Sequence, residues 1–485
     1  MKRESVIGLE IHLQLKTKTK LFCSCSSDYI GATPNTNVCP VCLAVPGTLP
    51  ILNDHAVELG VKIGLGLHCS ICDNTRFHRK HYFYADLPKA YQITQYEHPI
   101  AVGGYVDIFA DGKEKRIRVH HLHLEEDAGK LVHPTSDGRL TGASYSLVDY
   151  NRGGMPLSEI VSEPDMNSSE EAIAYITRIR QLARYLDVSD GEMESGSLRV
   201  DVNVSLSKPD GSLGTRVEIK NVNSLRSIER ALEYEIARQN KVLDEGGRLV
   251  QETRLWDDVA GVTRSMRSKE GERDYRYYVE MDLAPISADP EYVQKIRESL
   301  PEMPWEKLDR FIREYSVSLE ESLQLTEQKE TADYFEACVS EGAPPSKCAN
   351  WMRMEVQRIL HDLSIGINDF PVPASELGKL IIKVEKRELS NTQAKDVLAV
   401  MVEKKISLKE AIRLCGVSDG RITGPALRDV ISKIFESEPE AVETIRAGND
   451  KKGAKVKFLQ GLVMRETRGS ADPAEVASLV NSMLN

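Results

Sequence analysis

Ile7-Gly8-Leu9-Glu10-Ile11-His12-Leu13-Gln14-Leu15 alternates without a break, with Ile7, Leu9, Ile11, Leu13 and Leu15 on one side and Glu10, His12 and Gln14 on the other. Successive strand side chains leave on opposite faces, so Glu10 and His12 stand side by side, about 7 Å apart. The pattern returns in Leu198, Val200, Val202, Val204 and Leu206, with Arg199, Asp201, Asn203 and Ser205 opposite. It returns again at 215–220, where Val217 and Ile219 face in and Arg216, Glu218 and Lys220 face out. A merely solvated face carries Thr, Lys, Glu and Ser in no special order. Carboxylates, an imidazole and cations on three such strands point instead to a surface that does chemistry. Lys208-Pro209-Asp210-Gly211 is a turn signal, so the second and third strands are expected to form an antiparallel hairpin.

Two amphipathic helices would cover the apolar face. One opens with Ser168 and Glu171 spaced as a capping box and carries Ala172, Ile173, Ile176, Ile179, Leu182 and Leu186 on one stripe. The other follows Asn223, with Leu225, Ile228, Leu232 and Ile236 inward. The polar sheet face is then free to line a cleft, and residues 1–292 read as α+β. Prolines 285, 290, 301 and 304 mark a change to helical spacing, with a linker expected near 293. Residues 293–415 read as all-α, broken at Gly342-Ala343-Pro344-Pro345 and Phe370-Pro371-Val372-Pro373. A weak spot at 416–424 leads into a small helical tail, 416–485.

At 485 residues the chain has room for about three domains. Its 41% hydrophobic and 28% charged residues describe an ordinary globular protein. No leader-type apolar region or run of about 18 apolar residues is present, so a cytoplasmic protein without a membrane segment is expected. Nine cysteines, an odd number, favour thiols and metal ligation over a disulfide framework. The net charge of -11 excludes a general nucleic-acid coat protein, so any such contact must be a local basic patch.

Alternation at 119–127 delivers His121, His123, Glu125 and Asp127 to one face, and Glu126 joins them only if the strand ends or bulges there. Clustered carboxylates such as Glu10, Glu125, Glu126 and Asp201 need cations. An oxygen-rich set suits Mg²⁺ shared with substrate phosphates, while a zinc hydrolase using His121 and His123 is the rival reading. Arg199, Arg216 and Lys220 add the positive charge that phosphoryl transfer requires. Neither a P-loop nor a nucleophile elbow occurs, and Ser195-Gly196-Ser197 is too short for a Ser-Ser-Lys amidase centre. Cys23, Cys25, Cys39 and Cys42 have the spacing of a structural zinc knuckle. His68, Cys69 and Cys72 offer a competing set, and Cys338, Cys348 and Cys415 read as core. Arg446, Lys451, Lys452, Lys455, Lys457, Arg465 and Arg468 form the densest basic patch, read either as a solvated face or as an RNA-backbone contact.

Long blocks in order then carry a resemblance. They are Gly8 to His12, Phe83-Tyr84-Ala85-Asp86-Leu87-Pro88-Lys89-Ala90-Tyr91-Gln92, His123-Leu124-Glu125-Glu126-Asp127-Ala128-Gly129-Lys130, Asp149-Tyr150-Asn151-Arg152 and Pro156-Leu157-Ser158-Glu159-Ile160. Gly196-Ser197-Leu198-Arg199, Glu218-Ile219-Lys220-Asn221, Gln251-Glu252-Thr253-Arg254 and Asp274-Tyr275-Arg276-Tyr277 follow. Together they resemble, nearly end to end, the GatB family, the B subunits of the aspartyl/glutamyl-tRNA amidotransferases. Ala85, Val279 and Met281 stand where the family usually has proline.

The resemblance implies a glutamine-synthetase-like antiparallel-sheet cradle domain, an all-α helical domain and a YqeY-like tRNA-binding tail. It implies ATP and Mg²⁺, used to phosphorylate the side-chain carboxylate of Glu or Asp misacylated on tRNA(Gln) or tRNA(Asn), and ammonia that displaces the phosphate. Ammonia is expected from the partner amidase, the A subunit of the amidotransferase, with the small C subunit completing a heterotrimer. The family's Mg²⁺ ligands carry over onto His12, Glu126 and Glu159, with Glu10 and Glu125 adjacent. Lys89, Arg199, Asp201, Lys220 and Asn221 are expected at the nucleotide and its phosphates. A noncatalytic zinc-knuckle tRNA-binding scaffold is the alternative.

Overall fold

The computed structural model describes residues 3–134, 143–268, 275–416, 424–448, 450, 453–467 and 471–484. Lys451, Lys452 and Arg468 of the basic patch, Asp274 of the last block and most of the weak spot at 416–424 lie outside them. The chain is mixed α and β and divides into two compact units, Met1–Met303 and Pro304–Asn485.

The first unit is built on a 12-stranded sheet. Across its middle run Val217–Lys220, Leu198–Leu206, Ser5–Gln14, Pro156–Ser162, Lys113–Glu126, Tyr91–Thr94 and His78–His81, each antiparallel to the next. The hairpin expected around Lys208 to Gly211 is therefore present. One pair departs from antiparallel order: Val217–Lys220 runs parallel to Glu252–Asp257. A parallel neighbour needs a crossover, and the Leu225–Asp244 helix lies between them in the chain.

The apolar face is closed as the alternation requires. Ile7, Leu9, Ile11, Leu13, Val200, Val202 and Val204 are all buried, and Ala172, Ile176, Ile179, Ile228 and Leu232 of the two helices are buried with them. The Ser169–Tyr185 helix is capped by Ser168, whose hydroxyl accepts the Glu171 N–H at 3.1 Å. The Glu171 carboxylate, however, accepts from the Asn167 N–H and Lys115 rather than returning to Ser168. The second helix is capped by Ser224, one residue later than the sequence suggests. Residue 293 falls inside the Pro290–Ser299 helix, because Pro290 sits at a helix start capped by Asp289, where a missing N–H costs nothing.

Every element assigned in the second unit is helical. Breaks fall at 341–344 and 370–373, where the Gly-Pro and Pro-Pro signals stand. The unit holds two separate apolar clusters. One gathers Phe311, Phe335, Trp351, Leu380 and Met401, and the other, beyond residue 424, gathers Leu427, Ile431, Leu459, Val463 and Val480. Cys338 and Cys348 are core residues of the first cluster, and Cys415 packs against it.

Candidate active site

Register lines up the polar face of the central strands. His12 lies between Glu159 on one neighbouring strand and Arg199 on the other, and Glu159 in turn lies opposite His123. His12 Nε2 is 3.3 Å from Glu159 Oε2 and 3.6 Å from Glu125 Oε1. His123 Nε2 is 3.0 Å from Glu159 and 3.7 Å from Glu125. Two imidazoles thus face two carboxylates on the polar face of the sheet. Burial alone would strip the imidazoles of their protons. Glu159 and Glu125 outweigh it, raising His12 to about 9 and His123 to about 10. Glu159, although buried, is held well below the usual carboxylate range by His123 and His12. Protons here stand in for a cation. His12, Glu125 and Glu159 each offer one ligand atom within 4.8 Å of the others, a set that suits an oxygen-preferring divalent ion that also accepts imidazole.

Glu126 does not join this set. The strand continues in register through Glu126, which pairs with Pro156, and its only register shift lies at the other end, between Val161 and Ser162. Without a bulge, adjacent glutamates must face opposite sides, so Glu125 faces the histidines. Glu126 is buried against Lys89 Nζ at 2.5 Å and accepts the Ile93 N–H at 2.9 Å. Lys89 is thereby committed to Glu126 and does not reach the histidine–carboxylate group. The pair borders a cavity of about 320 Å³ that Arg79, Tyr91, Cys23 and Cys42 also line.

Beside the histidine–carboxylate group, Glu10 of the same strand as His12 joins Asp201 and Glu218 from the next two strands in a second carboxylate group, again within 4.8 Å. Burial and the charges of Glu159, Asp201 and Glu218 push the Glu10 carboxyl up, against a 2.9 Å hydrogen bond from Asn203 Nδ2. Lys220 bonds Asp201 and lies 3.2 Å from Glu218. Arg199 pairs with Asp127 at 2.9 Å, and Arg152 lies 3.6 Å from the same carboxylate. Asn221, like Lys89, stands apart from the other expected phosphate contacts. Its backbone is left-handed (φ 66°), and its Nδ2 donates to the Trp256 carbonyl.

Residues outside the expected set complete the surface. His123 and Glu218 both lie on alternating strands and were legible there. Lys80 gave no such signal. Its half-buried ammonium sits 4.9 Å from the Tyr275 ring centroid, and although desolvation disfavours its charge, Tyr277, Glu125 and Glu159 raise its pKa.

The four knuckle cysteines also converge, with all Sγ atoms within 4.8 Å and Cys39–Cys42 at 3.8 Å. That is the edge of a tetrahedron with Zn–S bonds of about 2.3 Å, so the donors fit zinc. Cys42 is drawn down to about 4, first by its hydrogen bond from Cys23 and, against burial, by the Cys39 N–H and the Lys20 charge. The competing set does not assemble. His68 stacks on Tyr105 and Cys69 is buried, and no metal-type group among the described residues contains them.

The sheet face thus carries a histidine–carboxylate group and, apart from it, four cysteines converge, an arrangement that suits a metal-using enzyme. Residues 5–294 match the family model described as the GatB/GatE catalytic domain, and residues 333–484 match that described as the GatB domain. The B subunit of the aspartyl/glutamyl-tRNA(Asn/Gln) amidotransferase of Thermoanaerobacter pseudethanolicus is 46% identical over 480 residues, covering 98% of this chain and 97% of its own. That of Thermodesulfovibrio yellowstonii is 45% identical over 489 residues and covers both chains entirely. That of Thermosynechococcus vestitus is 46% identical over 490 residues, 99% of this chain and 96% of its own. The chain belongs to the GatB family, the B subunits of these amidotransferases.

Proposed function

We propose that the chain carries out the ATP-dependent amidation of Glu-tRNA(Gln), Asp-tRNA(Asn) or both, as the B subunit of a glutamine-hydrolysing carbon–nitrogen ligase. The side-chain carboxylate of the misacylated residue attacks the γ-phosphorus of ATP, releasing ADP and leaving an acyl phosphate. Ammonia then attacks the acyl carbon, phosphate departs and the amide remains. The observation that carries this reading is the convergence of His12, Glu125 and Glu159 with His123 behind them. We place Mg²⁺ on His12, Glu125 and Glu159, replacing Glu126 in the expected set. These three side chains would hold the ion, which when bound would supply positive charge to offset that of the phosphate oxygens. Glu10, Asp201 and Glu218 hold the nucleotide side of the cleft, where Lys220 and Arg199 supply positive charge to the transferred phosphoryl group.

A glutamine-synthetase-like cradle over 1–292, a helical domain over 293–415 and a YqeY-like tail over 416–485 complete the reading. The separate apolar cluster beyond residue 424 supports the last. The amidase and the small C subunit are the proposed partners, the cytoplasm the proposed location, and zinc the proposed occupant of the four cysteines. In the tail, exposed Arg446, Lys455, Lys457 and Arg465 support a tRNA-backbone contact. The test is Glu159→Gln in the assembled enzyme. ATP-dependent amidation is expected to fall at least 100-fold while hydrolysis of glutamine by the partner continues. Undiminished amidation would refute the site.

A further inference from the structure

Lys20 has no exposed surface, and the reaction above makes no use of it. Lysines are almost never fully buried unless paired, and the ammonium has three protons to place. Nζ lies 3.0 Å from the Asn37 carbonyl oxygen and 3.3 Å from that of Tyr150. Its third contact is Sγ of Cys42, at 3.9 Å. Carbonyls accept hydrogen bonds without cancelling a unit charge; of the three contacts only the sulfur becomes an anion. Gly154 flanks the same place: a Cβ there would lie 3.5 Å from Lys20 Cδ and 3.8 Å from Cys42 Cβ.

We propose that Lys20 is the charge-balancing partner of a zinc tetrathiolate on Cys23, Cys25, Cys39 and Cys42, and that it fastens this site to the 150–154 loop. Four thiolates around Zn²⁺ leave two excess negative charges, and an ammonium against one sulfur removes half of that excess. A hydrogen-bonded sulfur is also a poorer nucleophile. Cys42 receives the Cys39 N–H at 3.1 Å as well and is the one buried member of the four. The loop it is tied to is itself structural. Leu21 N–H donates to the Gly154 carbonyl, Gly154 N–H donates to the Asp127 carbonyl, and Arg152 lies beside the Asp127 carboxylate. The knuckle is thereby connected to the rim that holds Arg199.

The inference rests on the zinc reading, and the experiment separates the two. Full-length wild type, Lys20→Met and Lys20→Arg are compared for zinc content, for the rate of zinc transfer to a chromogenic chelator, and for the order of cysteine alkylation by iodoacetamide, read by mass spectrometry. Outer-shell partners of metal sites are worth roughly 10–100-fold in affinity. Lys20→Met is expected to lose zinc at least 10-fold faster, Lys20→Arg to stay nearer wild type, and Cys42 to be the last cysteine alkylated in wild type but not in Lys20→Met. Zinc removal from wild type should also speed amide exchange over 150–154. Equal release rates in wild type and folded Lys20→Met would overturn the role of Lys20 while leaving zinc in place. Should Lys20→Met not fold, Cys42 reacting first in wild type would overturn it equally. Wild type purified without zinc would overturn both readings.

Discussion

Replacing Glu125 by Gln keeps the shape of the side chain and removes one negative charge from the histidine–carboxylate group; replacing Glu126 by Gln does the same one residue on, on the opposite face. Glu125 oxygens lie 3.6 Å and 3.7 Å from His12 and His123 Nε2. Two unit charges about 4 Å apart interact by about 4 kcal/mol at an effective dielectric constant of roughly 20. A carboxamide oxygen recovers part of this for a bound Mg²⁺, leaving a loss of about 2.8 kcal/mol, or roughly 100-fold in affinity. Glu126 instead faces Lys89, and breaking one side of a buried pair costs about 3–5 kcal/mol of stability. Its hydrogen bond from the Ile93 N–H survives in the Gln variant, so the lower end applies. The assay is the Mg²⁺ dependence of ATP-dependent amidation by the assembled enzyme, beside the melting temperature of each variant. Glu125→Gln should raise half-saturating Mg²⁺ about 100-fold, and its melting temperature should fall as well, since it too loses one side of a buried charged group. Glu126→Gln should lower the melting temperature by several degrees with half-saturating Mg²⁺ within about 3-fold of wild type. A Mg²⁺ dependence unchanged in Glu125→Gln and shifted in Glu126→Gln would refute the assignment of the two glutamates.

Gly104→Ala should unfold or strongly destabilise the first unit, since its Cβ would meet the Leu67 carbonyl oxygen at 2.4 Å and Cys69 Sγ at 2.5 Å; thermal unfolding measures this, and a wild-type melting temperature would contradict the packing described. Charge reversal of Lys455, Lys457 and Arg465 together should weaken tRNA binding and reduce its salt slope by about 2–3, near 0.9 per phosphate contact. An unaltered slope in a filter-binding titration would remove the tail from the tRNA contact.

Alternation located most of the candidate site because period two is strict within a strand. Glu10, His12, Asp201 and Glu218 share a face for that reason alone, and the same rule put Glu125 rather than Glu126 toward His12. Family resemblance favours Glu126, whereas register turns its side chain to the opposite face, against Lys89. Lys80 and Asn221 were not legible in this way. Lys80 is placed between Tyr82, two residues on, and Tyr275 from a distant stretch, and only the fold brings the second to it. Asn221 follows the last residue of its strand, and its positive φ turns the amide toward Trp256. The helix stripes and the Ser168 cap were readable, but not which neighbour the Glu171 carboxylate bonds, and the second helix is capped one residue later than expected. Prolines at 290 and 304 look like linker signals in sequence, yet both open helices.

The first strand occupies the middle of the sheet, and its partners come late in the chain. Ser5 pairs with Leu206 and Glu10 with Val161. At about 5–20 residues per second, synthesis of the roughly 200 residues needed takes on the order of 10–40 s. Over most of that interval the apolar side chains of Ile7 to Leu15 have neither neighbouring strand available, and one edge stays open until residue 206 is made. Such a segment is what holdase chaperones bind and what nucleates aggregation in a stalled or overproduced chain. The strand that organises the cleft is therefore also the nascent protein's point of greatest exposure, and yields of soluble protein should respond to slower translation before residue 206 more than after it.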